Sequence, residues 1–197
     1  MSPLSAAHLL VILSAIISVG GAYAYIRDTI AGKTKPNRVS WSMCALAPLI
    51  RTGAAWSSNA DIWATVRIFL AGFVPLLVVL SSFANRQSYW KMTTFDVLCG
   101  VLSLTALFFW AIADSPRTAI VLSASGDGLA ALPTVIKAWR YPETETGFTY
   151  LASFISVVLV IPSIPVWHIE NSAFQIYLLL VNTLLLVAVY HKKWLSR

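Results

Sequence analysis

The chain has 197 residues, of which 58% are hydrophobic and only 11% charged, with a formal net charge of +6. A soluble domain carries about 25% charged residues, and a chain this short cannot hide so much apolar surface in one core, so composition excludes an ordinary water-soluble globule. The apolar runs are continuous rather than alternating, which argues against strands and a membrane barrel and for helices in lipid.

A bilayer-spanning helix needs roughly 20 mostly apolar residues. In chain order the stretches 8–26, 39–56, 61–83, 93–113, 117–135, 148–165 and 170–192 meet that need. No basic residue precedes the first stretch and no small-residue cleavage site sits in the right context, so 8–26 is expected to be a retained helix and not a signal peptide. Ile12-Leu13-Ser14-Ala15 returns as Val121-Leu122-Ser123-Ala124, which sets a register in which Ile12 answers to Val121. Held without a gap, that register lays 8–26 on 117–135, 39–56 on 148–165 and 61–83 on 170–192, and leaves 93–113 between the halves. The expected fold is an all-α integral membrane protein of seven transmembrane helices, built as two parallel three-helix repeats joined by a linker helix. Its divisions are 1–83, 84–116 and 117–197. Parallel repeats of this kind are a transporter architecture.

Charge and tryptophan set the expected orientation. Taking loops alternately, one side holds Arg27, Lys33, Lys35, Arg38, Arg86, Lys91, Lys137, Arg140, Lys192, Lys193 and Arg197, which is 11 of the 14 basic residues. The positive-inside rule puts that side in the cytoplasm, the N-terminus outside and the C-terminus inside, in a cell (inner) membrane. The same distribution argues against a nucleic-acid partner. All eight tryptophans fall near expected helix ends and are expected to be interface anchors. Cys44 and Cys99 lie in apolar helices without metal-ligand spacing and are expected to be small buried hydrophobes. His8, His168 and His191 form no zinc signature. No metal or cofactor is expected, and no nucleophile–base pair or phosphate-binding glycine loop points to an enzyme.

The most specific local signal runs from Leu132-Pro133-Thr134 through Lys137, Arg140 and the acidic loop Glu143 to Glu145, and ends in Gly147-Phe148-Thr149. It resembles the PQ-loop motif of the PQ-loop/SWEET superfamily, in which a Pro-Gln pair late in a helix precedes a basic residue, a polar turn and Gly-x-Ser. Pro133 and Gly147-Phe148-Thr149 match; Thr134 stands where the family has Gln. The first-half counterpart, Ala24-Tyr25, has lost the pair, while Asn37-Arg38-Val39-Ser40 keeps the polar turn. The resemblance implies a seven-helix carrier of a small solute, such as a sugar or amino acid, or a membrane receptor on the same scaffold. It also implies that an Asn on the third helix of a half, here Asn182, contacts substrate. Prolines in the helices that open each half point to Pro48, Pro133 and Pro162 as hinges.

Independently of that resemblance, proline inside a helix removes a backbone hydrogen bond and loosens the turn. Pro48, Pro75, Pro133 and Pro162 are all expected inside spans, as hinges or as static packing. Asp127, within Ser123-Ala124-Ser125-Gly126-Asp127-Gly128, is expected about mid-membrane, where an aspartate costs about 2.5–3.5 kcal/mol on insertion scales. It is the first candidate for substrate binding and for carrying a proton, against the plainer role of a buried ion pair or a hydrogen bond to a neighbouring helix. Asn182 is expected at the same depth. Arg51 and Arg67 are expected near the outer ends of their helices, either snorkelling and pairing with Asp61 or lining a vestibule. Asp96 is expected to be a helix N-terminal carboxylate. Ser14, Ser18, Ser123 and Ser125 are expected to mark close helix packing.

Together these residues predict a carrier for a small polar solute (sugar, amino acid or small organic anion), in which Asp127, Asn182 and Arg67 line a midplane site and Arg51 its outer mouth. The alternative is a non-transporting receptor or assembly partner that acts through loops 27–38 and 137–146. The expected partners are the solute and the bilayer, with self-association left open.

Overall fold

A computed structural model describes residues 6–57, 62–113, 115–164 and 167–195. Among them the chain forms seven α-helices: α1 Ala6–Ile30, α2 Arg38–Ser57, α3 Ile62–Ser81, α4 Thr94–Ala111, α5 Pro116–Arg140, α6 Gly147–Val160 and α7 Ile169–Leu195. The apolar segments Leu9–Ile30, Thr94–Ala111, Ile120–Arg140 and Ser172–Trp194 are long and apolar enough to cross a membrane, while Phe69–Ser81 and Gly147–Val160 are apolar but shorter. The exterior keeps its apolar character, with Ile16, Leu80, Val101, Phe108, Leu180 and Leu184 all exposed.

Local chemistry explains where the helices begin and end. α1 closes in a Schellman motif: the Lys33 amide reaches Asp28 O at 2.9 Å and the Gly32 amide reaches Thr29 O at 3.0 Å. Gly32 has φ 78°, the left-handed region that glycine enters without steric cost. Asn37 caps α2, its Oδ1 accepting from the Val39 and Ser40 amides at 3.1 and 3.3 Å. Its Nδ2 donates to Asp96 Oδ1 at 3.0 Å, so the starts of α2 and α4 are tied together. Asp96 also completes a capping box with Thr93, the helix N-terminal role expected of it. α5 starts on Pro116, whose missing amide proton costs nothing in the first turn.

Several boundaries differ from the expected stretches, α1 running on to Ile30 and α7 to Leu195, and two of them matter for the site. α5 runs on to Arg140, so Lys137 is a helix residue and not a loop residue. α6 stops at Val160, and Pro162 lies in the 3-10 turn Ile161–Ser163 that follows. Proline lacks the amide proton that the next helical turn would use, so Pro162 ends the helix and is not a hinge within it. Pro48, Pro75 and Pro133 do lie inside helices.

The helices pack in a closed ring. α1 lies against α3, α3 against α2, α2 against α5, α5 against α7, α7 against α6, and α6 against α1. α4 stands outside the ring, on α5 and α2. The buried apolar cluster comprises Tyr25, Val78, Ala138, Tyr150, Leu185, Ala188 and Val189, all near the helix ends that carry the basic loops. Trp41 packs against this cluster, with its ring centroid 4.9 Å from that of Tyr25 and its indole nitrogen buried. It is partly buried against the core, unlike the interface anchor expected of it, whereas Trp56, Trp139, Trp167 and Trp194 are exposed.

Glycines mark two close approaches. A Cβ at Gly21 of α1 would lie 2.6 Å from Ala152 Cβ of α6, and one at Gly72 of α3 would lie 2.9 Å from both Ala45 O and Leu49 N of α2. Gly20 has nothing within 4 Å. Gly72→Val should therefore destabilise the protein by about 1–3 kcal/mol through overpacking against a rigid backbone, while Gly20→Ala leaves it unchanged or slightly firmer. Thermal unfolding of the two variants in the same detergent checks the contrast.

Candidate functional site

Asp127 sits in the middle of α5, half-buried, and its carboxylate faces two other helices. The Tyr177 hydroxyl of α7 donates to Oδ2 at 2.7 Å, and the Cys44 thiol of α2 faces the same carboxylate. Cys44 is thus half-buried against an acid, and not the plain buried hydrophobe expected from sequence. The neighbouring glycines have separate jobs. Gly126 faces α4, where a Cβ would come 3.2 Å from Ala106 Cβ and 3.4 Å from Ser103 O. Gly128 faces the Tyr177 ring, at 3.4 Å for the same added atom. No basic residue pairs with Asp127 among the described residues. The carboxylate therefore lies where α2, α5 and α7 meet, with a phenol on one oxygen.

The other candidates do not all join it. Asn182 is buried, but its Nδ2 donates to Leu178 O of its own helix at 2.8 Å. It lies five residues beyond Tyr177, about 7.5 Å along α7 and turned by roughly 140°. Arg51 is exposed on α2. The side chain of Arg67, and Asp61 altogether, lie outside the described residues. Pro133 is buried in α5 one position before the buried Thr134. Pro48 is half-buried in α2, and its carbonyl accepts from Thr52 Oγ1 at 2.8 Å.

A second polar cluster, whose Lys137 and Glu145 stood in the loop motif of the sequence but were not expected to pair, lies about 15 Å further along α5, ten residues on at roughly 1.5 Å each. Lys137 Nζ and Glu145 Oε1 are 2.5 Å apart, with side-chain exposures of 1% and 0%. Tyr25 of α1 and Tyr150 of α6 both donate their hydroxyls to Glu145 Oε2, at 2.8 and 2.6 Å. Lys137 also donates to Lys35 O and stands 5.0 Å from the Trp90 ring centroid. Every charge-bearing atom of the pair is thereby engaged, the condition under which a buried ion pair is tolerated. The available signal was the position of Lys137 three residues after Thr134, one helical turn, which keeps it on the same face if the helix continues. The apolar run ends at Val135, so the helix was expected to end there too.

Around this pair the loops 31–37 and 141–146 are bound to each other. The Lys35 amide donates to Thr144 O at 3.0 Å. Thr34 Oγ1 and Thr146 Oγ1 share a hydrogen bond of 2.6 Å, and Thr146 donates to Asp28 Oδ2 at 3.0 Å. Thr149 Oγ1 donates to Gly21 O at 2.8 Å, made possible by the bare Gly21 backbone. The basic end of the bundle is closed by polar contacts, and the carboxylate of Asp127 lies above that closure. No protein-family model, curated protein or solved structure matches this chain.

Removing one member of a buried pair strands the other, which costs about 3–5 kcal/mol. Lys137→Met should lower stability by that order, with Glu145 left among two phenols and no cation. Combining it with Glu145→Leu should cost clearly less than the sum of the two single changes. A double-mutant cycle on unfolding checks this; strict additivity would mean that the two side chains are not coupled.

Proposed function

We propose that this chain is a multi-pass membrane carrier for a small polar solute, working by alternating access between two three-helix halves. Asp127 carries the solute site and, during the cycle, a proton. The observation that supports this most is a mid-helix carboxylate without a basic partner among the described residues, at the seam of α2 with α5, above a closed polar end. An intramembrane carboxylate is expensive and is a functional candidate by default.

The ring of helices supports the halves. In the register that lays Ile12 on Val121, α1, α2 and α3 correspond to α5, α6 and α7, and every contact in the ring maps onto another contact of the ring. Lys35 and Thr144, which share a backbone hydrogen bond, are themselves counterparts in that register. On this proposal the chain is a parallel duplication with α4 as linker and a divergent relative of the PQ-loop/SWEET superfamily. It lies in a cell membrane with the basic end in the cytoplasm and is not an enzyme. Tyr177 and Cys44 join Asp127 at the site in preference to Asn182, whose amide nitrogen is used within α7. Arg51 and Arg67 belong to the outer mouth. Pro48 and Pro133 are the hinge candidates that remain.

The second reading, a receptor or assembly partner that does not transport, draws on the dense bonding between loops 31–37 and 141–146. Transport separates the two. In proteoliposomes, a panel of labelled sugars, amino acids and small carboxylates is expected to yield at least one solute whose uptake responds to an imposed pH gradient. Asp127→Asn should abolish that response, and Tyr177→Phe should weaken uptake about fivefold, the worth of one hydrogen bond of about 1 kcal/mol. Wild-type uptake and pH response in Asp127→Asn would remove the proton role. No uptake of any solute would favour the receptor.

A further inference from the structure

A cavity of about 390 Å³ opens at the basic end, between the start of α2 and the segment after α3, and none of the residues of the two clusters above lines it. Its lining holds two arginines, Arg38 and Arg86, with Ser82, Asn85, Phe83 and Tyr89, and no carboxylate. Arg38 is held in place from several sides. Its Nε donates to Ser82 Oγ at 2.9 Å and its Nη2 to Ser82 O at 2.8 Å. The guanidinium carbon lies 3.9 Å from the Phe83 ring centroid and 5.1 Å from that of Tyr89. A guanidinium has five N–H donors, so two bonds to Ser82 leave three without a partner among the described residues. No acid pairs with Arg38 among those residues either. Asn85 is occupied as a wall residue, donating to Ile30 O at 2.9 Å and accepting from the Gln87 amide at 2.9 Å.

A planar, immobilised guanidinium with free donors, a second arginine beside it and no competing carboxylate is suited to a phosphate. The rim is apolar and open. Phe83 is 64% exposed and Tyr89 49%, and Met92 and Phe95 continue as exposed residues in the following chain. A phosphate on an acyl-bearing molecule satisfies both halves of this surface, since the arginines take the anion and the rings take the chain. We propose that this cavity binds the phosphate of an anionic phospholipid from the leaflet at the basic end, bridging the start of α2 to the end of α3. It rests on the membrane reading above, but not on transport.

Binding by the full-length protein, stripped of lipid in a neutral detergent, tests this directly. Native mass spectrometry and thermal unfolding would be read with added phosphatidylglycerol, phosphatidylcholine or inorganic phosphate. Phosphatidylglycerol should be retained and raise the unfolding temperature, with phosphatidylcholine and inorganic phosphate having little effect. Arg86→Gln changes an exposed residue and should weaken phosphatidylglycerol retention about fivefold, the contribution of one basic residue at an anionic surface. Arg38→Gln should weaken it at least as much. Equal retention of the two lipids overturns the proposal, as does undiminished retention in Arg86→Gln. Stabilisation by inorganic phosphate equal to that by the lipid would make the site one for free phosphate and overturn the lipid assignment. A protein that retains phosphatidylglycerol but moves no solute would refute the carrier and leave this site standing.

Discussion

Lys137 and Glu145 have both given up their water, and the protein around them is arranged to replace it. Moving such charges out of water costs several kcal/mol each, so the pair persists only while all its neighbours stay in place. Those neighbours come from α1 (Tyr25), the loop before α2 (Lys35), the segment before α4 (Trp90) and α6 (Tyr150). Elements from distant parts of the sequence are therefore required to meet at one point. The apolar cluster of Tyr25, Ala138, Tyr150 and Ala188 forms at the same end, so packing and charge compensation reinforce one another.

That constraint gives the two ends of α5 different characters. At the basic end the helix is fixed through Lys137 to several partners. At its middle Asp127 has a phenol on one oxygen and no cation among the described residues. On the carrier proposal, a solute or proton entering at Asp127 changes the charge balance of a lightly satisfied site, whereas nothing can enter between Lys137 and Glu145 without first breaking their contact. Pro133 lies between the two sites and cannot supply an intrahelical amide bond. On that proposal, α5 joins a fixed end to a responsive middle through a residue that weakens the coupling between them.

How much of this could be read from sequence depended on whether the signal was local. Seven helices followed from apolar run length. Asp96 as a helix cap was legible because Thr93 and Asp96 stand at capping-box spacing. Asp127 was legible because an acid in an apolar run has few cheap explanations, but its partners Tyr177 and Cys44 were not, since nothing in sequence says which faces of α5, α7 and α2 meet. Glu145 looked like one of several loop acids, and only three-dimensional closure separates it from Glu143, which is exposed. Trp41 failed for the same reason: position near a helix end suggests an anchor, and the tertiary fold turned the side chain inward.

The same register exposes a flaw in the closed end. Tyr25 and Tyr150 donate to Glu145, and on the proposed duplication their counterparts are Thr134 and Trp41. Those two are also donors, and the donor atom of each is buried, but the counterpart of Glu145 is Pro36, which has no side-chain acceptor. Thr134 Oγ1 accordingly has no hydrogen-bond partner among the described residues, and Ser40 Oγ, the counterpart of the satisfied Thr149, has none either. Each such group costs about 1–3 kcal/mol while it stays dry. The closure thus combines an ion pair and two phenols with buried hydroxyls that water would satisfy. On the carrier proposal such a closure opens, because wetting those hydroxyls returns part of the free energy that breaking the ion pair costs.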